Sequence, residues 1–96
     1  IQYINSEIPI KYKLTQNFPN PFNPQTNIRF SIPERTGITL KVYNALGIEL
    51  TKLAEGEVNA GNYIINWDAS NYPSGVYFYM LKINDEVEIR KMTLVK

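Results

Sequence analysis

Apolar residues fall at every second position through most of this chain, in short runs broken by Asn, Gly and Pro, and a period of two commits such runs to strands. Ile28, Phe30 and Ile32 alternate with Arg29 and Ser31 up to Pro33. Ile38, Leu40 and Val42 alternate with Thr39, Lys41 and Tyr43. Asn44-Ala45-Leu46-Gly47 then supplies a turn, with Gly47 at the left-handed position, before Ile48, Glu49, Leu50 and Thr51 resume as the second arm of a hairpin. After Ala60-Gly61-Asn62, Tyr63, Ile65 and Trp67 share one face while Ile64, Asn66 and Asp68 share the other. Asn71, Pro73, Ser74 and Gly75 make the next break. Residues 76–83 are apolar on both faces apart from Lys82, which suits a central strand, and Asn84-Asp85 is a two-residue turn into a last strand over 86–95. In that strand Val87 and Ile89 share one phase and Met92 and Leu94 the other, so burying all four predicts a bulge near Arg90-Lys91.

Five or six strands at short spacing, with a further strand near residues 11–14, predict an all-β fold. The architecture expected is an antiparallel immunoglobulin-like β-sandwich of about seven strands, with a small closed barrel as the alternative. A chain of 96 residues builds one core. Residues 1–13 read as a linker or the end of a preceding domain, and 14–96 as the domain itself. Within it, residues 18–24 hold Pro19, Pro21 and Pro24, which remove backbone donors and exclude an interior strand. The stretch is expected to run as an extended strap whose Phe18 and Phe22 rings cover the end of the sandwich.

Composition narrows the function. Ten Lys+Arg against nine Asp+Glu leave a net charge of +1, far from the basic stripe that a phosphate backbone requires, so no nucleic acid partner is expected. The longest apolar run, 76–81, is far short of a membrane span, and no stable membrane insertion is expected. Without Cys and His the chain lacks a thiolate nucleophile, the commonest general base and the commonest metal ligands. Its two Asp and seven Glu fall on turns, loops and outward strand phases, with no poised acid/base pair, no calcium loop and no Gly-rich phosphate motif. The reading is of a protein that is not an enzyme and takes no metal or cofactor. No basic n-region or apolar h-region follows Ile1, so a piece of a longer protein is expected, with any export signal elsewhere.

Two binding surfaces suggest themselves. Trp67, Tyr63, Tyr72, Tyr77 and Tyr79 would form a sugar platform if they were exposed, making a carbohydrate-binding module, but Tyr63 and Trp67 share a phase with Ile65 and read as core. If Tyr77, Tyr79, Leu81 and Ile83 face inward, Val76, Phe78 and Met80 form an apolar row on the outer face of the same strand. That row either lies under another element or is a docking surface.

An ordered set of motifs resembles one family. Leu14-Thr15-Gln16-Asn17-Phe18-Pro19-Asn20-Pro21-Phe22-Asn23-Pro24-Gln25-Thr26-Asn27-Ile28-Arg29-Phe30, then Val42-Tyr43-Asn44-Ala45-Leu46-Gly47, Ala60-Gly61 with Trp67-Asp68, Ser74-Gly75-Val76-Tyr77-Phe78-Tyr79 and Lys91-Met92-Thr93-Leu94-Val95-Lys96 closely resemble the type A C-terminal sorting domain of the type IX secretion system. The middle segment is also similar to the immunoglobulin-like part of flagellar hook-capping proteins. Asn44, Ile48 and Ala69 stand where that family commonly has Asp, Arg and Gly. The resemblance implies a secretion signal covalently linked to an N-terminal cargo domain. It implies recognition in the periplasm by the type IX outer-membrane translocon and its shuttle proteins, removal by a sortase-like peptidase within or before residues 1–12, and delivery to the cell surface or medium. Gly75, Val76 and Tyr77, with Lys91, Met92, Leu94 and Lys96, match the two C-terminal export motifs. With Phe78 and Met80 they make the expected translocon recognition site, an apolar centre with a cationic margin. A carbohydrate-binding or adhesion/spacer module is the alternative.

Overall fold

Along Gln25–Ile32 the side chains at Thr26, Ile28, Phe30 and Ile32 are buried while those between them are exposed or half-buried, so the period of two in the sequence is the period of burial in the fold. The computed structural model describes residues 1–5 and 7–96. Its strands are β1 (Gln2–Asn5), β2 (Lys13–Leu14), β3 (Gln25–Ile32), β4 (Thr36–Asn44), β5 (Glu49–Val58), β6 (Gly61–Asp68), β7 (Gly75–Ile83) and β8 (Glu86–Leu94). They form two antiparallel four-stranded sheets, in the orders β1-β6-β3-β2 and β5-β4-β7-β8. The fold is the expected all-β sandwich, with eight strands among the described residues. Part of the segment read as linker, Gln2–Asn5, lies along β6 as an edge strand with all four residues exposed.

Between the sheets lies one core. Ile28, Phe30, Ile32, Tyr63, Ile65 and Trp67 come from one inner face, and Leu40, Val42, Tyr77, Tyr79, Leu81, Met92 and Leu94 from the other. Two tyrosines fasten strand to preceding loop in the same way. Tyr63, third in β6, donates its hydroxyl to the Asn59 carbonyl at 2.6 Å, and Tyr77, third in β7, donates to the Pro73 carbonyl at 2.5 Å. At the tip of the β4–β5 hairpin the Asn44 carboxamide oxygen accepts from the backbone N–H of Leu46 (2.9 Å) and of Ile48 (3.0 Å), a role an aspartate would fill equally well. Gly47 takes the left-handed conformation expected of it, with φ of 81°.

Two expectations about side chains fail. β8 has no bulge: β7 and β8 pair in unbroken register from Gly75 opposite Leu94 to Ile83 opposite Glu86. Val87 and Ile89 face outward, 47% and 61% exposed, and the inward phase at that level carries Arg90, whose Nε donates to the Leu14 carbonyl at 2.9 Å. Residues 86–91 are exposed on both faces, Arg90 included, so the core ends at Met92 and no bulge is needed to bury Val87 and Ile89. The irregularities lie instead in β5, where register shifts opposite Leu40/Lys41 and Val42/Tyr43 turn Leu50 and Leu53 toward the core. In the strap, Phe22 is buried against Trp67, ring centroids 5.8 Å apart, as expected, but Phe18 is 78% exposed. The backbone bonds of Phe18 go to Asn27 at the start of β3, and its ring is left outside the cap.

Candidate functional site

Eight of the nine candidate residues sit on the β7–β8 ladder and Lys96 lies just past its end, so strand pairing brings together two motifs far apart in sequence. Pleating then divides them by face. Tyr77, Met92 and Leu94 point into the core and are 4%, 0% and 1% exposed. Tyr77 stands opposite Met92, its ring edge-on to Trp67 at 5.6 Å, and burial pushes its hydroxyl above the usual tyrosine range. Val76, Phe78 and Met80 point outward with Lys91, which lies directly across from Phe78. Val76 is 37% exposed, while Phe78 and Met80 are half-buried between the neighbouring side chains of the same face.

Gly75 opens the ladder at φ of 153°, a conformation that side-chain-bearing residues rarely adopt, although a Cβ there would touch nothing within 4 Å. Its requirement is conformational and not one of space. Lys96 turns back on the β6–β7 loop: its backbone N–H donates to Ser74 Oγ at 3.1 Å and its ammonium to the Ser70 carbonyl at 2.8 Å. In the same loop Asp68 accepts from the Ser70 hydroxyl and N–H, which together with the nearby Lys96 charge holds its carboxyl below the usual carboxylate range.

Two side chains outside the expected recognition site belong to the same outer face. Tyr43 of β4 is the neighbour of Phe78, and Ile89 of β8 is the neighbour of Met80; with Gly47 they line a shallow apolar concavity. Ile89 was recoverable from the sequence, because the two-residue turn Asn84-Asp85 pairs Ile83 with Glu86 and so sets Ile89 beside Met80. At the margin of this face Lys41 forms an ion pair with Glu49 at 2.9 Å, and that hydrogen bond raises the lysine's pKa. Lys91 and Lys82 have no ion-pair partner among the described residues.

The strap reinforces the ladder from its free side. Phe22 N–H donates to the Thr93 carbonyl (3.0 Å), Val95 N–H to the Phe22 carbonyl (2.9 Å), Thr93 N–H to Asn20 Oδ1 (3.0 Å) and Gln16 Nε2 to the Lys91 carbonyl (2.7 Å). A sugar platform does not form: Tyr63, Trp67, Tyr77 and Tyr79 are core residues, and Tyr72 is half-buried against Trp67. No group of three or more His, Cys, Asp or Glu is disposed to hold a metal ion among the described residues.

A family model for the secretion system C-terminal sorting domain matches residues 16–96, the strap and every strand from β3 to β8. The chain belongs to this family. The sorting domain is thus a C-terminal secretion signal of the type IX system, and export to the cell surface or the medium is what it serves. Among solved structures it is similar to the crystal structure of dimeric latent PorU from Porphyromonas gingivalis, with 16% sequence identity and a TM-score of 0.68. The likeness covers 96% of the sorting domain and 10% of the PorU chain, and at this identity it speaks to the fold alone. No curated protein matches the sequence.

Proposed function

We propose that the sorting domain, residues 14–96, is a non-catalytic tag read after folding, in the periplasm, by the type IX outer-membrane translocon and its shuttle proteins. Residues 1–13 are the linker to, or end of, a covalently attached N-terminal cargo, and a sortase-like peptidase cuts within or before residues 1–12 at the surface. The observation that carries this reading is the outward-facing apolar row of exposed Val76 and half-buried Phe78 and Met80 with Lys91 across from it, an apolar centre with a charged margin. A partner meets those four side chains without disturbing the core. Gly75, Tyr77, Met92, Leu94 and Lys96 serve the same site by holding the ladder and its end loop in place. The test is a periplasm-targeted fluorescent protein carrying the 96 residues at its C-terminus, in a host with type IX secretion and in a translocon-deficient strain. Translocon-dependent export is the expected result; a folded fusion kept in the periplasm of both strains is the contrary one.

A further inference from the structure

Sheet order leaves β8 at the rim, with β7 on one side only. In an antiparallel strand the backbone groups of alternate residues point to opposite sides. The bonds from the strap to Lys91, Thr93 and Val95 show that these residues look away from β7, and the same alternation turns Ile89 and Val87 outward too. The strap therefore closes the rim from Lys91 to Val95 and stops there. Below it, none of the described hydrogen bonds engages the N–H or C=O of Val87 or Ile89 on that side. Their side chains stand exposed on the outer face, next to Met80 and the concavity shared with Tyr43 and Phe78. Lys91, at the boundary with the strap, is without an ion-pair partner among the described residues. The opposite rim, β5, is interrupted by two register shifts, whereas β8 is straight over its whole pairing with β7.

A straight rim with free backbone donors and acceptors is a template for one more strand. We infer that residues 87–91 receive an extended segment of the export machinery as a ninth strand in the structure, a conclusion that rests on the sorting role proposed above. The backbone of that segment pairs with Val87 and Ile89. On the outer face it sets two apolar side chains, two residues apart, against Val87 and Ile89, and a carboxylate two residues further on against Lys91. The occupant is thus an extended segment of the export machinery, alternating in character, with an acidic residue at one end.

The test uses the reporter fusion with a photo-crosslinking benzoylphenylalanine in place of Val87 or, on the opposite rim, of Glu57. It is joined by two substitutions. Ile89→Pro removes one outward N–H without taking a bond from the β7 ladder, and Ile89→Val keeps that N–H. The expected results are an adduct to a translocon component from position 87 and none from position 57. Export of Ile89→Pro should fall about tenfold or more with its melting temperature near that of the parent, whereas Ile89→Val, which keeps the N–H and trims one methyl group from the docking face, should fall only about twofold. An exported parent with no translocon adduct from position 87, or with adducts only between two copies of the chain, overturns the added strand and leaves the sorting role standing. Export of Ile89→Pro at the parental level does the same. If Ile89→Pro does not fold, the crosslinks decide alone. A parent fusion retained in both strains overturns the sorting role and the added strand together.

Discussion

Tyr79 shows how far one side chain reaches across this fold. It is fully buried, and its hydroxyl donates at 2.6 Å to the carbonyl of Thr15 at the start of the strap, 64 positions away. Burial pushes its pKa up to about 12 from the ordinary tyrosine value of 10.0. The folded state thus keeps the phenolic proton at pH values where the unfolded chain has lost it. Stability from this group is fully present below pH 10.0 and is lost as pH rises toward about 12. Two pK units correspond to about 2–3 kcal/mol at the alkaline limit. Tyr79→Phe is expected to cost about 1–3 kcal/mol at neutral pH, where the Thr15 carbonyl loses its donor, and to make the alkaline decline shallower. Urea unfolding at pH 7, 10 and 11 checks both. A weaker slope should persist, since burial raises Tyr63 and Tyr77 as well.

At the scale of elements, the β7–β8 ladder divides its side chains by face, core on one side and the proposed recognition row on the other. Met92→Ala empties a fully buried position and is expected to cost about 2–5 kcal/mol, with export lost in proportion to unfolded protein. Phe78→Ser, on the outer face, is expected to cost about 1 kcal/mol and to lower export well beyond any loss of folded protein. Thermal melting beside the export assay tells the two apart; equal ratios of export to stability for both variants would mean the outer face is not read. The sequence made most of this ladder legible, because alternation over Tyr77, Tyr79, Leu81 and Ile83 is clean and the Asn84-Asp85 turn fixes register. It was less legible in the first part of β8, which is exposed on both faces although Val87 and Ile89 read as core. Arg90, exposed on the inward phase, donates to the Leu14 carbonyl, and nothing in the local sequence announces a partner that far away. β5 was read only to Thr51 because its two extra residues break the period of two that a pattern search follows. β1 was not expected as a strand because its four residues bury nothing that a pattern could register.

For the molecule as a whole, the first residues and the outer face of β7 and β8 lie at different rims. β1 borders β5 across a groove lined by Ile1, Gln2, Lys52 and Leu53, while the outer apolar row and the free edge belong to β7 and β8. The proposed cargo, joined through the first residues, would leave the β7–β8 face clear. Deleting residues 1–11 removes β1 and the edge-to-face pair of Tyr3 with Tyr63, whose rings are 5.3 Å apart. The remaining chain is expected to melt in one cooperative transition, less stable by about 1–2 kcal/mol, as calorimetry of the two lengths would show. A truncated chain without cooperative melting would place the domain boundary earlier than residue 14.

The strap's bonds to β8 also carry a meaning in time. Gln16 and Asn20 find their acceptor and donor on Lys91 and Thr93, 75 and 73 positions later, so these contacts wait until nearly the whole domain has left the ribosome. A chain cut short by a stalled message or an early protease keeps most of its strands and still fails to close this clasp. The clasp is therefore the last part of the domain to close, and only a domain complete through β8 can close it.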